Sequence, residues 1–247
     1  MNAYTERGSD MFNGFTDETF EFFMAIAFNN NTEFFHANHD WYVRAVRQPC
    51  LELAGTLSEV MTEIDDEIEL RPNRVVSCIN RELRYARDKS PYKDYMWLKL
   101  RRPAQQERVN PGFYFDISAR ESSFGMGFYE EYKPHMNGFR RRMVTEPETV
   151  LGLIQPLERD FDLHLNAFKR MKRPEALHPA LTDWYPIRSF WFVRNIDDFS
   201  LLKSPALVDL LAEGFQQLAP LYRYIRDIPN EDDEMASAPA RPRPARG

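Results

Sequence analysis

Three short stretches in the middle of the chain decide the fold class: MWLKL at residues 96–100, FYFDI at 113–117 and FGMGF at 124–128. Apolar side chains recur at every second position in each stretch, which is the period of a β-strand that buries one face. The connections between the stretches are too short for crossover helices, so neighbouring strands are expected to run antiparallel. A later strand, RSFWFVR at 188–194, is predicted to complete the set.

Helices are predicted on both sides of this sheet. Thr16 is suited to cap a first helix, and Asn30 with Glu33 three residues later fits the capping box of a second. Pro49 falls inside the second helical pattern, so a kink or break is expected near Gln48. A short strand is predicted at residues 75–79. The helices predicted after the sheet lie at 131–143, 147–154, 156–171 and about 205–225.

The pattern as a whole predicts an α+β fold with N-terminal helices, a mostly antiparallel sheet of about four to five strands, and C-terminal helices. Residues 11–228 are expected to form a single domain, which is within the size that one hydrophobic core can reach. Residues 229–247 are acidic and then rich in Pro, Ala and Arg, a composition typical of a disordered tail.

Several features favour a cytoplasmic protein without a membrane partner. No apolar run approaches the roughly 18–20 residues that a membrane span needs. The first ten residues lack the basic and apolar regions of a signal peptide. Cys50 and Cys78 lie among apolar neighbours, so both are predicted to be buried, reduced thiols.

Charge is distributed unevenly along the chain. The formal net charge is −6, yet residues 71–108 contain eleven Arg or Lys residues against four acids, a local charge of +7. Such an island attracts anions whatever the overall sign. The alternative is a solvated basic face that pairs with acidic neighbours.

The densest part of this island is INRELRYARDKSPYK at residues 79–93. Arginine suits bidentate recognition of phosphate or carboxylate, lysine supplies a point charge, and the proline makes the turn rigid. An aspartate here would orient a cation or act as a general base, and a tyrosine would donate a hydrogen bond or stack. The candidate ligand-binding residues are Arg81, Arg84, Asp88, Lys89, Tyr92 and Lys93.

Three functions remain open for this motif. The first is an anion site for a phosphate- or carboxylate-bearing ligand, such as a phosphorylated small molecule. The second is a non-catalytic interaction or scaffold protein in which the cations pair internally with Glu82 and Asp88. The third is nucleic-acid binding, which the net negative charge disfavours. Cations that converge on an open cleft would indicate the first function, and cations turned onto the acids would indicate the second.

Other constellations give weaker signals. His36 and His39 share a helix face, but no facing helix supplies the second Glu-x-x-His motif that a carboxylate-bridged metal site needs, so no metal site is predicted. Gly125 and Gly127 form a G-x-G within a strand pattern, which indicates a bulge or close backbone approach. Arg140 and its two following arginines are interpreted as a solvated helix face. The sequence assigns no cofactor, reaction type or oligomeric state.

Several motifs resemble a family of conserved hypothetical proteins, domain-of-unknown-function family 2461. They are an F-x-x-F helix followed by NNNTEFF at 29–35, RELRYARDKSPYK at 81–93, and PGFYFDISARESSFGMGFY at 111–129. Weaker similarities are His178 with Pro179 and the late Pro220 with Leu221. The resemblance covers about residues 11–228.

This chain departs from the family pattern at three positions. Glu82 stands where the family has Asp, Met126 interrupts a glycine run, and Arg188 stands where Lys is expected. The resemblance implies a place to look for a site, and it implies no activity, because the family is uncharacterised.

Overall fold

A computed structural model describes residues 11–84, 88–103, 111–128, 131 and 133–229. The disordered tail predicted for 229–247 lies outside these residues except for Pro229. The α+β fold class is confirmed: helices precede and follow a five-stranded antiparallel sheet.

The helices before the sheet begin where the capping signals place them, with one shift. Thr16 caps the first helix as predicted. The second helix is capped by Asn31, whose side chain accepts a hydrogen bond from the Phe34 N–H at 2.8 Å, so the assignment of Asn30 as its cap was wrong by one residue. A π-helical turn, Val43–Arg47, lies directly before the helix that contains Pro49, which confirms the predicted irregularity. These helices are α1 (Asp17–Phe28), α2 (Thr32–Ala37), α3 (His39–Tyr42), α4 (Gln48–Thr56), α5 (Ser58–Ile64) and α6 (Pro72–Val75).

The sheet has the strand order β1-β2-β3-β5-β4, and every neighbouring pair is antiparallel. The four strands predicted by alternation are confirmed. The strands are β1 (Tyr95–Arg101), β2 (Gly112–Ser118), β3 (Ser122–Gly127), β4 (Asp162–Ala167) and β5 (Ile187–Asn195).

The inner face of the sheet packs against the long closing helix. This face carries fully buried side chains such as Phe113 and Phe124. The Phe215 ring lies 5.3 Å from the Phe113 centroid and 5.8 Å from that of Phe124. Gly214 lets the helix approach the sheet, because a Cβ atom there would lie 2.3 Å from the Phe124 ring. The helices after the sheet are α7 (Lys133–Thr145), α8 (Pro147–Ile154), α9 (Phe199–Leu202) and α10 (Ala206–Arg226).

One predicted helix is a strand. Residues 156–171 were expected to be helical because Pro156 suits a helix start, but Pro156 precedes only a short 3-10 turn, Leu157–Arg159. The following β4 lies at the edge of the sheet and is exposed along most of its length. Pairing with β5 decides its conformation, and a strand exposed on both faces shows little alternation of burial in its sequence.

Smaller predictions also need correction. The strand expected at 75–79 is not formed: α6 ends at Val75, and Val76 makes only an isolated bridge to Leu98. Cys50 is buried as predicted, whereas Cys78 is exposed. Arg140 is buried rather than solvated, because its guanidinium donates to the carbonyls of Tyr185 and Ile187.

A cluster of buried apolar residues extends from Phe12 to Ile228 along the sequence and joins both helical layers to the sheet. Whether residues 11–228 form a single domain stays a prediction. In the part of the chain that the structure describes, no helix combines the length and apolarity needed to cross a membrane.

Candidate functional site

The basic motif forms a loop that leads directly into β1. We call residues 80–94 the basic loop; all of it except 85–87 is described. Its two ends pair with each other, since the Arg81 N–H donates to the Pro91 carbonyl at 2.9 Å and the Lys93 N–H donates to the Ile79 carbonyl at 2.8 Å. This closure holds the loop in one place beside the sheet.

Asn30 fastens the loop to the N-terminal helices. Its amide donates to the Tyr92 carbonyl at 2.9 Å, and its side-chain oxygen accepts the Tyr92 N–H at 3.0 Å. The Tyr92 ring is buried and stacks on Phe35, with 4.2 Å between centroids. Tyr92, predicted as a ligand contact, is therefore a packing anchor.

The motif's cations mostly pair within the loop. Arg81 lies 3.2 Å from the Asp88 carboxylate and also donates to the Tyr92 carbonyl at 3.1 Å. Arg84 donates to Glu82, with 3.0 Å between Nε and Oε1. That hydrogen bond holds the pKa of Glu82 below its usual range.

The remaining polar contacts shape the turn. Asp88 accepts the N–H of Ser90 at 2.9 Å and its hydroxyl at 2.7 Å, and the backbone hydrogen bond is the main reason that the pKa of Asp88 is lowered. The Lys89 ammonium donates to the Leu83 carbonyl at 2.8 Å. Of the predicted residues, Arg81 and Asp88 are thus brought together, whereas Arg84 and Lys89 contact other residues of the same loop. Arg87 and Tyr85, also noted in the motif, lie outside the described residues.

Lys93 differs from the other predicted cations. It is 9% exposed, and its ammonium lies 5.4 Å from the Trp97 ring centroid and 5.9 Å from that of Tyr95. Within the described part of the chain, no carboxylate or carbonyl accepts a hydrogen bond from this ammonium. Burial lowers the pKa of Lys93, and the positive charge of Arg81 adds to the decrease. Lys93 is therefore a desolvated cation that aromatic rings stabilise.

These rings belong to a groove on the outer face of the sheet, with a volume of about 530 Å³, which we call the sheet groove. The strand residues that line the groove lie at positions that alternate with the buried inner side chains, and they therefore face outward. The aromatic side chains that line it are Tyr95, Trp97, Tyr114, Phe128 and Trp191. The polar side chains that line it are Asp94, Asp116, Ser118, Arg120 and Glu121.

Glycine keeps part of the groove floor open. Gly127 lines the groove, and a Cβ atom there would lie 2.4 Å from the Trp191 Cβ. Gly125, two residues earlier, leaves still less room, because a Cβ atom would lie 1.8 Å from the Phe192 carbonyl oxygen. The G-x-G is therefore a place of close backbone approach, as its position within a strand indicates.

A polar cluster lies on the outer face of the central strands. Asp116 on β2 accepts a hydrogen bond from the Ser123 hydroxyl at 2.5 Å, and the Tyr114 hydroxyl lies 3.4 Å from the same Ser123 oxygen. Burial raises the pKa of Asp116 to about 6, and the nearby Glu121 charge adds to the increase, although the Ser123 hydrogen bond opposes it. Burial also raises the pKa of Tyr114 to about 12. Among the described residues, no Lys, Arg or His forms an ion pair with Asp116.

Sequence reasoning missed the sheet groove, although its signal was present. The stretch FYFDI was used only as a strand, but period two places Tyr114 and Asp116 together on the side opposite the core. A carboxylate and aromatic residues on the outer face of a central strand are candidates for a ligand site. Only tertiary structure shows that Trp97 and Trp191 lie beside them.

Comparison with known proteins gives a family and no activity. No curated protein matches the chain. A family model described as "Conserved hypothetical protein (DUF2461)" matches residues 18–224, a span that includes the N-terminal helices, the basic loop, the whole sheet and most of α10. This chain therefore belongs to the conserved hypothetical protein family DUF2461.

Proposed function

We propose that this protein binds a small organic molecule bearing a carboxylate or phosphate group in the sheet groove, and that Lys93 contacts the acidic group. The observation that carries the proposal is the position of the Lys93 ammonium, over the rings of Tyr95 and Trp97 and without a protein acceptor among the described residues. A desolvated ammonium gains more from an incoming anion than a solvated one does, because less hydration is lost on binding.

The shape and lining of the sheet groove support a small molecule. Ligand pockets have volumes of about 300–1,000 Å³ and are mostly apolar with a few polar groups. The sheet groove, at about 530 Å³, falls within that range, and its walls include two tryptophan side chains, Trp97 and Trp191. Such rings favour a ligand with a flat apolar part.

The internal pairing of the basic loop supports a structural role for its other cations. Arg81, Arg84 and Lys89 each already have a carboxylate or carbonyl partner. This arrangement favours the structural ion network that the sequence left open, and we assign Arg81 the role of holding Lys93 and Asp94 beside the groove, because it contacts Asp88, Asp94 and the Tyr92 carbonyl. Nucleic-acid binding gains no support from cations engaged in this way, because a phosphate backbone would have to displace their partners.

The test uses probes that share a benzene ring and differ in charge. Benzoate, phenyl phosphate and neutral benzyl alcohol are titrated while tryptophan fluorescence is recorded, because Trp97 and Trp191 line the groove. We expect the two acids to bind at least about tenfold tighter than the alcohol, and Lys93→Gln to remove most of that difference.

Arg84→Gln is the matched control, because Arg84 belongs to the same motif but pairs with Glu82 at the surface. It should leave the affinity for benzoate unchanged. The proposal is wrong if no probe binds the wild-type protein. It is also wrong if Arg84→Gln weakens acid binding and Lys93→Gln does not, since the anion would then bind the basic loop itself.

A further inference from the structure

We infer that the ligand of the sheet groove also carries a positively charged nitrogen, such as a protonated amine, which binds at Asp116. This inference rests on the proposed function, because it concerns the other end of the same ligand. The ligand class is therefore an amphoteric molecule, with an acidic group at Lys93 and a basic group at Asp116.

The first argument is the missing counterion. Asp116 lines the groove from the central strand β2, and its neighbours across the sheet are Trp97 on β1 and Ser123 on β3. Ser123 donates one hydrogen bond to its carboxylate, and the described residues supply no cation. A half-buried carboxylate that forms no ion pair among the described residues marks a place in the groove for a cationic ligand group.

The second argument is the aromatic wall. The faces of tryptophan and tyrosine rings attract cations within about 6 Å of their centroids. Lys93 shows that the rings of Trp97 and Tyr95 already hold one cation in this way. The groove adds Tyr114 and Trp191, so a ligand cation near Asp116 would have both a counterion and ring faces around it.

The third argument is the charge of the lining. Among the described residues that line the groove, three are acids, Asp94, Asp116 and Glu121, and one is an arginine, Arg120. A purely anionic ligand would be attracted by Lys93 and repelled by these acids. A ligand with charges of both signs meets an opposite charge at each end, which relieves this conflict.

The affinity for an amine should depend on pH. Burial raises the pKa of Asp116 to about 6, so the carboxylate is ionised above that pH and is neutralised as the pH falls through it. A cationic group therefore binds well at about pH 7.5 and loses its counterion at about pH 5. The ionisable groups around Asp116 lie on its own strand, on the turn to β3, on β1 and at the end of the basic loop; they are Tyr114, Arg120, Glu121, Tyr95, Lys99, Lys93 and Asp94.

The experiment compares benzylamine with benzyl alcohol, which has the same ring and no charge. Binding is followed by tryptophan fluorescence in the full-length wild-type protein and in Asp116→Asn. We expect benzylamine to bind about tenfold tighter than benzyl alcohol in the wild type, and the two to bind equally in Asp116→Asn. Glu148→Gln is the control, because it removes an exposed carboxylate that does not line the groove, and it should keep the preference for benzylamine.

A second measurement keeps the test decisive if Asp116→Asn does not fold. In the wild type, the preference for benzylamine over benzyl alcohol should fall by at least about fivefold between about pH 7.5 and about pH 5. 4-(Aminomethyl)benzoate, which carries both charges, should bind tighter than benzylamine or benzoate.

The outcomes separate this inference from the proposed function. Equal affinity for benzylamine and benzyl alcohol in the wild type would overturn the inference, as would a preference that survives in folded Asp116→Asn. In either case, benzoate binding that depends on Lys93 would leave the proposed function standing. A protein that binds none of the probes would overturn both.

Discussion

At the scale of single residues, Asn30 shows how one side chain can connect two distant parts of the chain. It lies in a run of three asparagines between α1 and α2, where a helix cap is the expected role. The next residue, Asn31, takes that role. Asn30 instead satisfies both the N–H and the carbonyl of Tyr92, 62 residues away, and so helps to hold the basic loop.

Replacing Asn30 with alanine should therefore destabilise the protein more than its position in a loop suggests. Two hydrogen bonds to the Tyr92 backbone are lost, and we expect the free energy of unfolding to fall by about 1–3 kcal/mol. The matched control is Asn29→Ala, because Asn29 is exposed and its amide donates only to the Ala25 carbonyl of its own helix. Asn29→Ala should change the free energy of unfolding by no more than about 0.5 kcal/mol.

Urea denaturation measures both variants, and hydrogen exchange at the amides of residues 88–94 reports on the loop. Faster exchange in Asn30→Ala but not in Asn29→Ala is the expected pattern. Equal losses of stability in the two variants would show that Asn30 has no special part in holding the loop.

At the scale of elements, β3 is the central strand of the sheet, and it contributes Gly127 to the sheet groove. It lies between β2 and β5, and its glycines let the neighbouring strands approach closely. A strand interior normally disfavours glycine, because glycine loses more conformational entropy than other residues and has no side chain to pack. The close contact with β5 explains why position 125 is a glycine.

Gly125→Ala should destabilise the sheet, whereas the same change in a helix should not. A Cβ atom at Gly125 would lie 1.8 Å from the Phe192 carbonyl oxygen, so β3 and β5 must move apart. We expect a loss of at least about 2 kcal/mol. Gly152 in α8 is exposed, and a Cβ atom there would meet no described residue outside its own helix within 4 Å. Gly152→Ala should therefore raise stability by about 0.5–1 kcal/mol.

Thermal and urea denaturation of the two variants check this pair of predictions. A neutral or stabilising effect of Gly125→Ala would contradict the close approach of β3 and β5. Because the two substitutions are chemically identical, the difference between them reports the local environment alone.

At the scale of the whole molecule, Asp65 joins three separate elements. It follows α5, and its side chain is 1% exposed. Arg102, just after β1, donates two hydrogen bonds to it, with 2.7 Å and 2.8 Å between the atoms. From α10, the Tyr222 hydroxyl donates at 2.6 Å, and an Arg226 nitrogen lies 3.2 Å away.

This network should make stability depend on pH. Burial alone would raise the pKa of Asp65, but the hydrogen bonds from Arg102 and Tyr222 outweigh it and hold the pKa well below its usual range. The stabilisation is therefore fully present above the unfolded-state pKa of about 4 and is lost as pH falls from there toward the folded-state pKa. Asp65→Asn should lower the free energy of unfolding by about 3–5 kcal/mol near neutral pH, because two arginines lose their buried partner.

Urea denaturation of wild type and Asp65→Asn at about pH 6.5 and about pH 2.5 tests this. The difference between the two proteins should shrink at the lower pH, because there Asp65 is protonated in the unfolded wild-type chain and must lose a proton on folding. Comparing the two proteins at each pH cancels the contribution of the other carboxylates, because both proteins contain them. A difference that is the same at both pH values would contradict the lowered pKa.

The local sequence was enough to predict β1, β2, β3, β5, α1 and α10, because apolar side chains recur in each of them with the regular period of a strand or a helix. It was not enough for β4, which is an exposed edge strand without alternating burial, or for the 75–79 segment, which forms one isolated bridge with β1, between Val76 and Leu98. The basic loop was recognised as irregular and charged from its residues alone. The partners of its cations were not predictable, since pairing depends on how the chain folds back.

The sequence by itself thus determined the α+β class, the main strands and the family, because periodicity and motifs are local properties of the chain. Only the tertiary structure decided how the six candidate residues are placed relative to one another and to the sheet groove. It turned most of the basic loop onto its own acids and backbone, and it left Lys93 over the aromatic rings. It also brought Trp97, Asp116 and Trp191 from three strands to one groove, because strand pairing, rather than sequence proximity, sets which side chains meet.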